Sequence, residues 1–109
     1  TDLIRAGLCD ALVSDYHYPS LANAAFTLAD TDILPLGRAW EMISTNPARI
    51  MGLEDRGVIA PSKRADLVIC NAQTRAIEGT LAAGRWSHLC GDLADLISAA
   101  PMRMAHAAE

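Results

Sequence analysis

The residues best placed to carry chemistry form a short polar and aromatic loop near the start of the chain. Asp15 directly follows an apolar run at residues 8–14, and His17 and Tyr18 come two and three residues later. If the run is a buried parallel strand, Asp15 lies at its carboxyl end, where α/β proteins build their sites. A carboxylate there can bind a metal ion or accept a proton, and an imidazole can serve as ligand or base.

The same residues also have a purely structural interpretation. Asp is common in turns, so Asp15 can instead cap a turn, with Tyr16 and Tyr18 packed on the helix that follows. A single His between two Tyr residues is often a packed or hydrogen-bonded loop residue. The sequence has no HxH, HExxH, GxSxG, GxGxxG or P-loop motif. It therefore holds no complete metal, nucleophile or phosphate motif of its own.

Length and composition exclude several classes of protein. The chain has 109 residues, a net charge of −4 and 51% hydrophobic residues. It is too short for a complete (β/α)8 barrel of about 250 residues and too apolar for a disordered tail. The acidic balance argues against a nucleic-acid partner, and no apolar run approaches the ~20 residues of a membrane span. Three cysteines without CxxC spacing suit reduced thiols, so we expect a cytoplasmic protein.

Helical periodicity dominates the first half of the chain. A last helical turn ends at Gly7, and Ser20 is a favourable N-cap for the helix that follows. Helical spacing predicts that one face of this helix is apolar and consists of Leu21, Ala24, Ala25 and Leu28. A second helix follows Pro35, and Asn46-Pro47 supplies the N-cap and first position of a third that ends at Gly52. With the strand at 8–14, this half reads as strand, loop and helices over residues 1–52.

Beyond Gly52 the pattern changes to that of a small β module over residues 53–91. A β-branched run at 66–71 predicts a strand, and 75–81 and 85–89 predict a hairpin with Gly84 at positive φ. Asp66 is expected to fix a turn by hydrogen bonding to the backbone. Residues 92–109 predict a last helix up to Ala100, with three apolar residues on one face, and a tail; the three are Leu93, Leu96 and Ile97.

Short motifs in the middle of the chain resemble the C-terminal signature of the amidohydrolase superfamily. They are Asn46-Pro47-Ala48-Arg49, Gly52-Leu53, Asp55-Arg56-Gly57-Val58-Ile59-Ala60-Pro61 and Lys63-Arg64-Ala65-Asp66-Leu67-Val68, with Ser62 where the family usually has Gly. The resemblance covers about residues 2–89. It implies an α/β fold: the last strand and helices of a metal-dependent (β/α)8 barrel hydrolase, followed by part of the adjoining small β-sandwich. The loop Ser14–Pro19 is similar to one branch, the diphosphatases of phosphonate metabolism.

The resemblance also implies roles for the loop residues. Asp15 matches the carboxylate after the eighth barrel strand, which binds a divalent metal ion and takes a proton from the attacking water; we expect zinc. His17 and Tyr18 would line the mouth that admits a phosphorylated small-molecule substrate. The other metal ligands would lie upstream of Thr1. We therefore expect the C-terminal part of an enzyme, which alone binds no catalytic metal and turns over nothing.

Two other functions stay open at this point. One is a different branch of the superfamily, hydrolysing cyclic amides or deaminating heterocycles, which upstream ligands would distinguish. The other is a non-catalytic interaction module, in which Asp15 caps a turn and the apolar excess marks an oligomer interface. We expect a homo-oligomer or self-association of this chain, because a strand at 8–14 would lack both neighbours.

Overall fold

Residues 2–99 are described by the computed structural model, and the chain divides into two units, Thr1–Lys63 and Arg64–Glu109. None of the helices in this described part is long and apolar enough to cross a membrane. The first unit contains four helices, and the second contains three strands and a helix. In chain order they are α1 (Asp2–Arg5), α2 (Ser20–Asp30), α3 (Leu36–Glu41), α4 (Thr45–Ile50), β1 (Leu67–Cys70), β2 (Ile77–Ala82), β3 (Arg85–Leu89) and α5 (Gly91–Ser98).

The core of the first unit lies between α2 and α3. Ala25 and Leu28 of α2 are buried against Ala39 of α3 and Met42, which follows that helix. Small Ala side chains let the helices approach closely, and the rings of Phe26 and Trp40 meet edge to face, 5.6 Å apart. The apolar face predicted from helical spacing is therefore the face that is buried.

Two helix ends follow the predicted glycine signal. At the end of α4, Gly52 has φ +71°, Gly52 N donates to Arg49 O at 3.1 Å, and Leu53 N donates to Ala48 O at 2.8 Å. This paired geometry is the Schellman motif, which satisfies carbonyls that the helix leaves open. Gly7 closes α1 in the same way, also with φ +71°.

The two predicted N-caps, in contrast, are wrong. Pro19 occupies the N-cap position of α2, and Ser20 is its first residue, with no side-chain cap hydrogen bond. Helix α4 begins at Thr45, one residue before Asn46, which was expected to cap it. Both side chains bind elsewhere: Ser20 contacts a loop histidine, and Asn46 donates to a distant backbone carbonyl. A local contact at Ser20 and a long-range hydrogen bond at Asn46 therefore take precedence over capping at these positions.

The predicted barrel strand at residues 8–14 is not formed. The segment has no regular secondary structure, and the side chains of Leu8 and Val13 are 74% and 89% exposed. A strand needs a neighbour to pair its backbone groups, and the described residues of the first unit contain no strand. Cys9, which belongs to this segment, therefore lies in no strand.

The second unit is built on an antiparallel sheet in the order β1-β2-β3. The β2–β3 hairpin turns at Ala83 and Gly84, with φ +51° and +78°, the backbone that a two-residue type I′ turn requires. Asp66 Oδ1 accepts a hydrogen bond from Ala83 N at 2.8 Å, so this carboxylate fixes the turn as predicted. Strand β1 and the hairpin are confirmed.

Helix α5 packs on the middle strand. A Cβ placed on Gly79 would lie 2.6 Å from Leu93 Cδ2 and 2.9 Å from the Trp86 ring, which shows how closely these groups cover β2. The predicted helix is confirmed, although Leu96 and Ile97 of its predicted apolar face are 69% and 37% exposed. Residues 100–109, which include the predicted helix end and tail, lie outside the described residues.

Candidate functional site

Two long-range hydrogen bonds hold the segment that leads into the candidate loop. Asn46 Nδ2 donates to the Asp10 carbonyl oxygen at 2.6 Å, which joins the segment to α4. Leu12 N donates to the Met42 carbonyl oxygen at 2.9 Å, next to the helical core. The backbone is thus fixed three residues before Asp15, although no sheet holds it.

Asp15 lies on a bend at the start of the loop with an exposed side chain. Among residues 2–99, no group donates a hydrogen bond to its carboxylate. The interpretation of Asp15 as a turn cap is therefore wrong, because a capping carboxylate would accept from a nearby backbone N–H. Its oxygens are available to an external ligand.

His17 is held by the first residue of α2. Its Nδ1 atom lies 2.8 Å from Ser20 Oγ, and Ser20 N donates to the His17 carbonyl oxygen at 3.0 Å. The residue is exposed. Because Nδ1 is engaged, Nε2 is the ring nitrogen that remains for a ligand.

The two tyrosines of the loop project into solvent. Tyr16 and Tyr18 are 90% and 89% exposed, so the interpretation that they pack on the following helix is wrong. Val13 and Leu8, earlier in the same segment, are also exposed, at 89% and 74%. Tyr18 is accordingly accessible to a ligand, as its predicted role at a substrate mouth requires.

The structure supplies part of a metal site at most. Within the described residues 2–99, no group of three or more His, Cys, Asp and Glu side chains could hold a metal ion. A catalytic zinc site typically takes three protein ligands and leaves one position open. Asp15 fits such a site as one oxygen ligand, because its carboxylate is exposed and has no hydrogen-bond donor in the described part of the chain.

The cysteines and several arginines outside the loop have structural surroundings. Burial raises the pKa of the Cys70 thiol, which keeps this cysteine neutral. Cys9, Cys70 and Cys90 are all free thiols, as expected. Several cations near the middle of the chain form ion pairs instead of a phosphate cradle: Arg38 with Glu41, Arg56 with Asp55, and Arg64 with Asp66.

Sequence reasoning missed the residues that position the loop. The partner of Asn46 is 36 residues away, and nothing in local spacing indicates it. The His17–Ser20 contact could have been predicted from the sequence, because the two residues are three apart and a proline stiffens the turn between them. Both residues were assigned to capping because the local pattern favours it.

Comparison with known proteins places the chain in a family. The model of the amidohydrolase family matches residues 2–89. The chain therefore belongs to the amidohydrolase family, and this membership implies a hydrolase of the TIM-barrel type. No solved structure is significantly similar to it.

Two curated proteins are similar to the chain. The alpha-D-ribose 1-methylphosphonate 5-triphosphate diphosphatase of Escherichia coli (strain K12) is 42% identical over 79 residues, which are 71% of this chain and 21% of that protein. The adenine deaminase of Ligilactobacillus salivarius (strain UCC118) is 38% identical over 65 residues, 59% of this chain and 11% of that protein. The chain thus spans only a small part of the length of either relative.

Proposed function

We propose that this chain carries one catalytic carboxylate, Asp15, of a metal-dependent diphosphatase. The proposed substrate is α-D-ribose 1-methylphosphonate 5-triphosphate, from which the enzyme releases pyrophosphate. The observation that carries the proposal is the exposed Asp15 carboxylate, which has no hydrogen-bond donor among residues 2–99 and lies on an anchored segment. The 42% identity to a diphosphatase with that substrate supports the choice of reaction.

The residues of the chain would divide the work as follows. A bound divalent metal ion, which we expect to be zinc, would lower the pKa of a water molecule. Asp15 would contribute one oxygen ligand and accept the proton that this water loses as it attacks phosphorus. It would return the proton to the pyrophosphate oxygen freed when the phosphorus–oxygen bond breaks. His17 and Tyr18 bind the phosphorylated substrate from the exposed side of the loop. The described residues 2–99 do not supply the remaining ligands of such a site.

A second candidate is deamination of a heterocycle. It is favoured by the 38% identity to an adenine deaminase, although over a shorter stretch. The two reactions release different products, pyrophosphate in one case and ammonia in the other. They can therefore be separated by assay of one protein preparation.

The test uses the protein expressed from the complete reading frame that contains this sequence. We expect zinc-dependent release of pyrophosphate from the ribose triphosphate and no ammonia from adenine. Ammonia release without pyrophosphate release would replace the diphosphatase proposal with the deaminase one. Neither product, from a folded and metal-loaded protein, would refute both.

The 109-residue chain alone is expected to be inactive. A single carboxylate does not supply the ligand set of a catalytic zinc. Elemental analysis of the purified chain should therefore show no stoichiometric zinc. One zinc per chain that is lost in Asp15→Ala would contradict this expectation.

A further inference from the structure

Ser20 has a residue type that favours helix capping, yet it is the first residue of α2 and its hydroxyl does not cap the helix. Pro19 is the N-cap of α2, and no side chain bonds to the free N–H groups of the first turn. The Ser20 hydroxyl instead lies 2.8 Å from His17 Nδ1. A serine at a helix start typically caps the helix, whereas this serine contacts a loop histidine instead.

Ser20 is also well placed to hold an imidazole still. It begins α2, whose Ala25 and Leu28 are buried in the core of the first unit. Its backbone N–H donates to the His17 carbonyl oxygen at 3.0 Å, which closes the turn that the two residues share. The backbone of Ser20 therefore contacts the His17 carbonyl group, and its side chain contacts the His17 ring.

We propose that Ser20 is a positioning residue for His17, and that its hydroxyl fixes the ring proton on Nε2. The 2.8 Å contact fits a hydroxyl that donates to Nδ1, and in this arrangement the neutral ring carries its proton on Nε2. The reverse arrangement, in which Nδ1–H donates to Oγ, is the outcome that would contradict the proposal. Nε2 has no partner among residues 2–99 and belongs to an exposed residue. His17 then presents an N–H donor to solvent and to any ligand at the loop.

This donor suits an anionic oxygen of a phosphate group, and this part of the inference rests on the proposed function. An N–H donor forms a charge-assisted hydrogen bond to a phosphate oxygen. A bare Nε2 lone pair would instead repel that oxygen. Ser20 would thus favour phosphorylated substrates, because it determines whether His17 Nε2 is a hydrogen-bond donor or an acceptor.

The tautomer can be read directly, without substrate, in the 109-residue chain. Long-range proton–nitrogen NMR of ¹⁵N-labelled histidine, at a pH where the imidazoles are neutral, reports where each ring proton resides. We expect His17 to be mainly protonated on Nε2. Ser20→Ala should move its tautomer ratio about fivefold toward that of free histidine, since one net hydrogen bond is lost. Ser20→Thr, which keeps the hydroxyl, should restore it.

The controls separate this effect from a general disturbance of the fold. The His17 signal is assigned by its loss in His17→Gln. Ser87→Ala removes a serine hydroxyl that donates to the Thr80 carbonyl oxygen in the second unit, and it should leave His17 unchanged. A His17 ring protonated mainly on Nδ1, or a ratio that Ser20→Ala does not alter, would overturn the proposal.

The second measurement uses the product of the complete reading frame. Ser20→Ala should raise KM for the ribose triphosphate about fivefold and leave kcat within twofold, with rescue by Ser20→Thr. A KM unchanged by Ser20→Ala, in an enzyme that does hydrolyse the triphosphate, would overturn the link between Ser20 and substrate binding. If the NMR result is as expected but the protein hydrolyses no triphosphate, the proposed function fails and the Ser20–His17 assignment stands.

Discussion

The segment at residues 8–14 and strand β1 are both short apolar runs, but only one of them is a strand. Val68 of β1 pairs with Thr80 of β2, twelve residues further on, so the partner lies within the same small unit. The run at 8–14 has no strand beside it in the described part of the first unit, and Val13 is 89% exposed. The comparison shows that an apolar run specifies a strand only together with a partner.

The aspartates of the two units also differ in whether a neighbouring group donates a hydrogen bond to them. In the second unit, Asp66 accepts from Ala83 N and from Arg64 Nε at 2.8 Å each, so it acts within the sheet. In the first unit, the Asp15 carboxylate accepts from nothing in residues 2–99, and Tyr18 is 89% exposed. The sheet uses its carboxylate for structure, while the loop leaves its own available for chemistry.

The largest effect on stability is expected at the centre of the sheet. Gly79→Val places side-chain atoms where Leu93 and Trp86 already pack, at 2.6 and 2.9 Å from the new Cβ, so either strand or helix must move. We expect the second unit to lose about 3 kcal/mol of unfolding free energy. Denaturant unfolding followed by Trp86 fluorescence in a Trp40→Phe background would measure it.

The matched control is Gly37→Ala in α3, where a Cβ meets nothing within 4 Å. It should stabilise the first unit by about 0.5–1 kcal/mol, because Ala favours a helix interior over Gly. A Gly79→Val protein as stable as the parent would show that the sheet is not closely covered by α5, and the contrast between a closed sheet and an open loop would fail.

A smaller loss is expected when Asp66 is removed. Asp66→Ala leaves Ala83 N without its acceptor and should destabilise the hairpin by about 1–1.5 kcal/mol. Hydrogen exchange at the Ala83 amide should quicken correspondingly. Asp55→Ala, at an exposed pair with the neighbouring Arg56, should change stability by less than about 0.5 kcal/mol. Equal effects of the two substitutions would contradict the structural role of Asp66.

The corresponding anchor of the loop is Asn46. Asn46→Ala removes the hydrogen bond to the Asp10 carbonyl oxygen and should cost about 1 kcal/mol. Unlike Asp66→Ala, it should quicken exchange at the Leu12 amide, which shares the anchored segment. Exchange at Leu12 that is as slow as before would show that Met42 alone holds the segment.

The smallest effect concerns Cys70. Burial raises its pKa in the folded state, so folding favours the neutral thiol. Its contribution to stability is present below the unfolded pKa of about 9 and is lost as the pH rises through the folded value. Cys70→Ala should therefore flatten the fall in stability of the second unit above that pH. The exposed Cys90→Ala is the control, and an equal flattening there would contradict the assignment.

Sequence reasoning anticipated the parts of the molecule whose partners are close in the chain. The helix face with Ala25 and Leu28, the glycine that ends α4, and the turn fixed by Asp66 all depend on neighbours within a few residues or one hairpin. The strand at 8–14 and the contact of Asn46 depend on distant groups, and periodicity carries no information about those. Asp15 was predicted from its place at the end of a strand that is not formed, so its catalytic role stays a prediction.

The central claim is that Asp15 is the catalytic carboxylate of this chain, and one substitution tests it most directly. In the product of the complete reading frame, Asp15→Asn should lower kcat for pyrophosphate release by about 10³-fold, because the variant can no longer accept the proton. Asp10→Asn, which alters an exposed carboxylate on the same segment, should keep kcat within twofold. A folded Asp15→Asn enzyme that retains more than a tenth of its activity would contradict the claim.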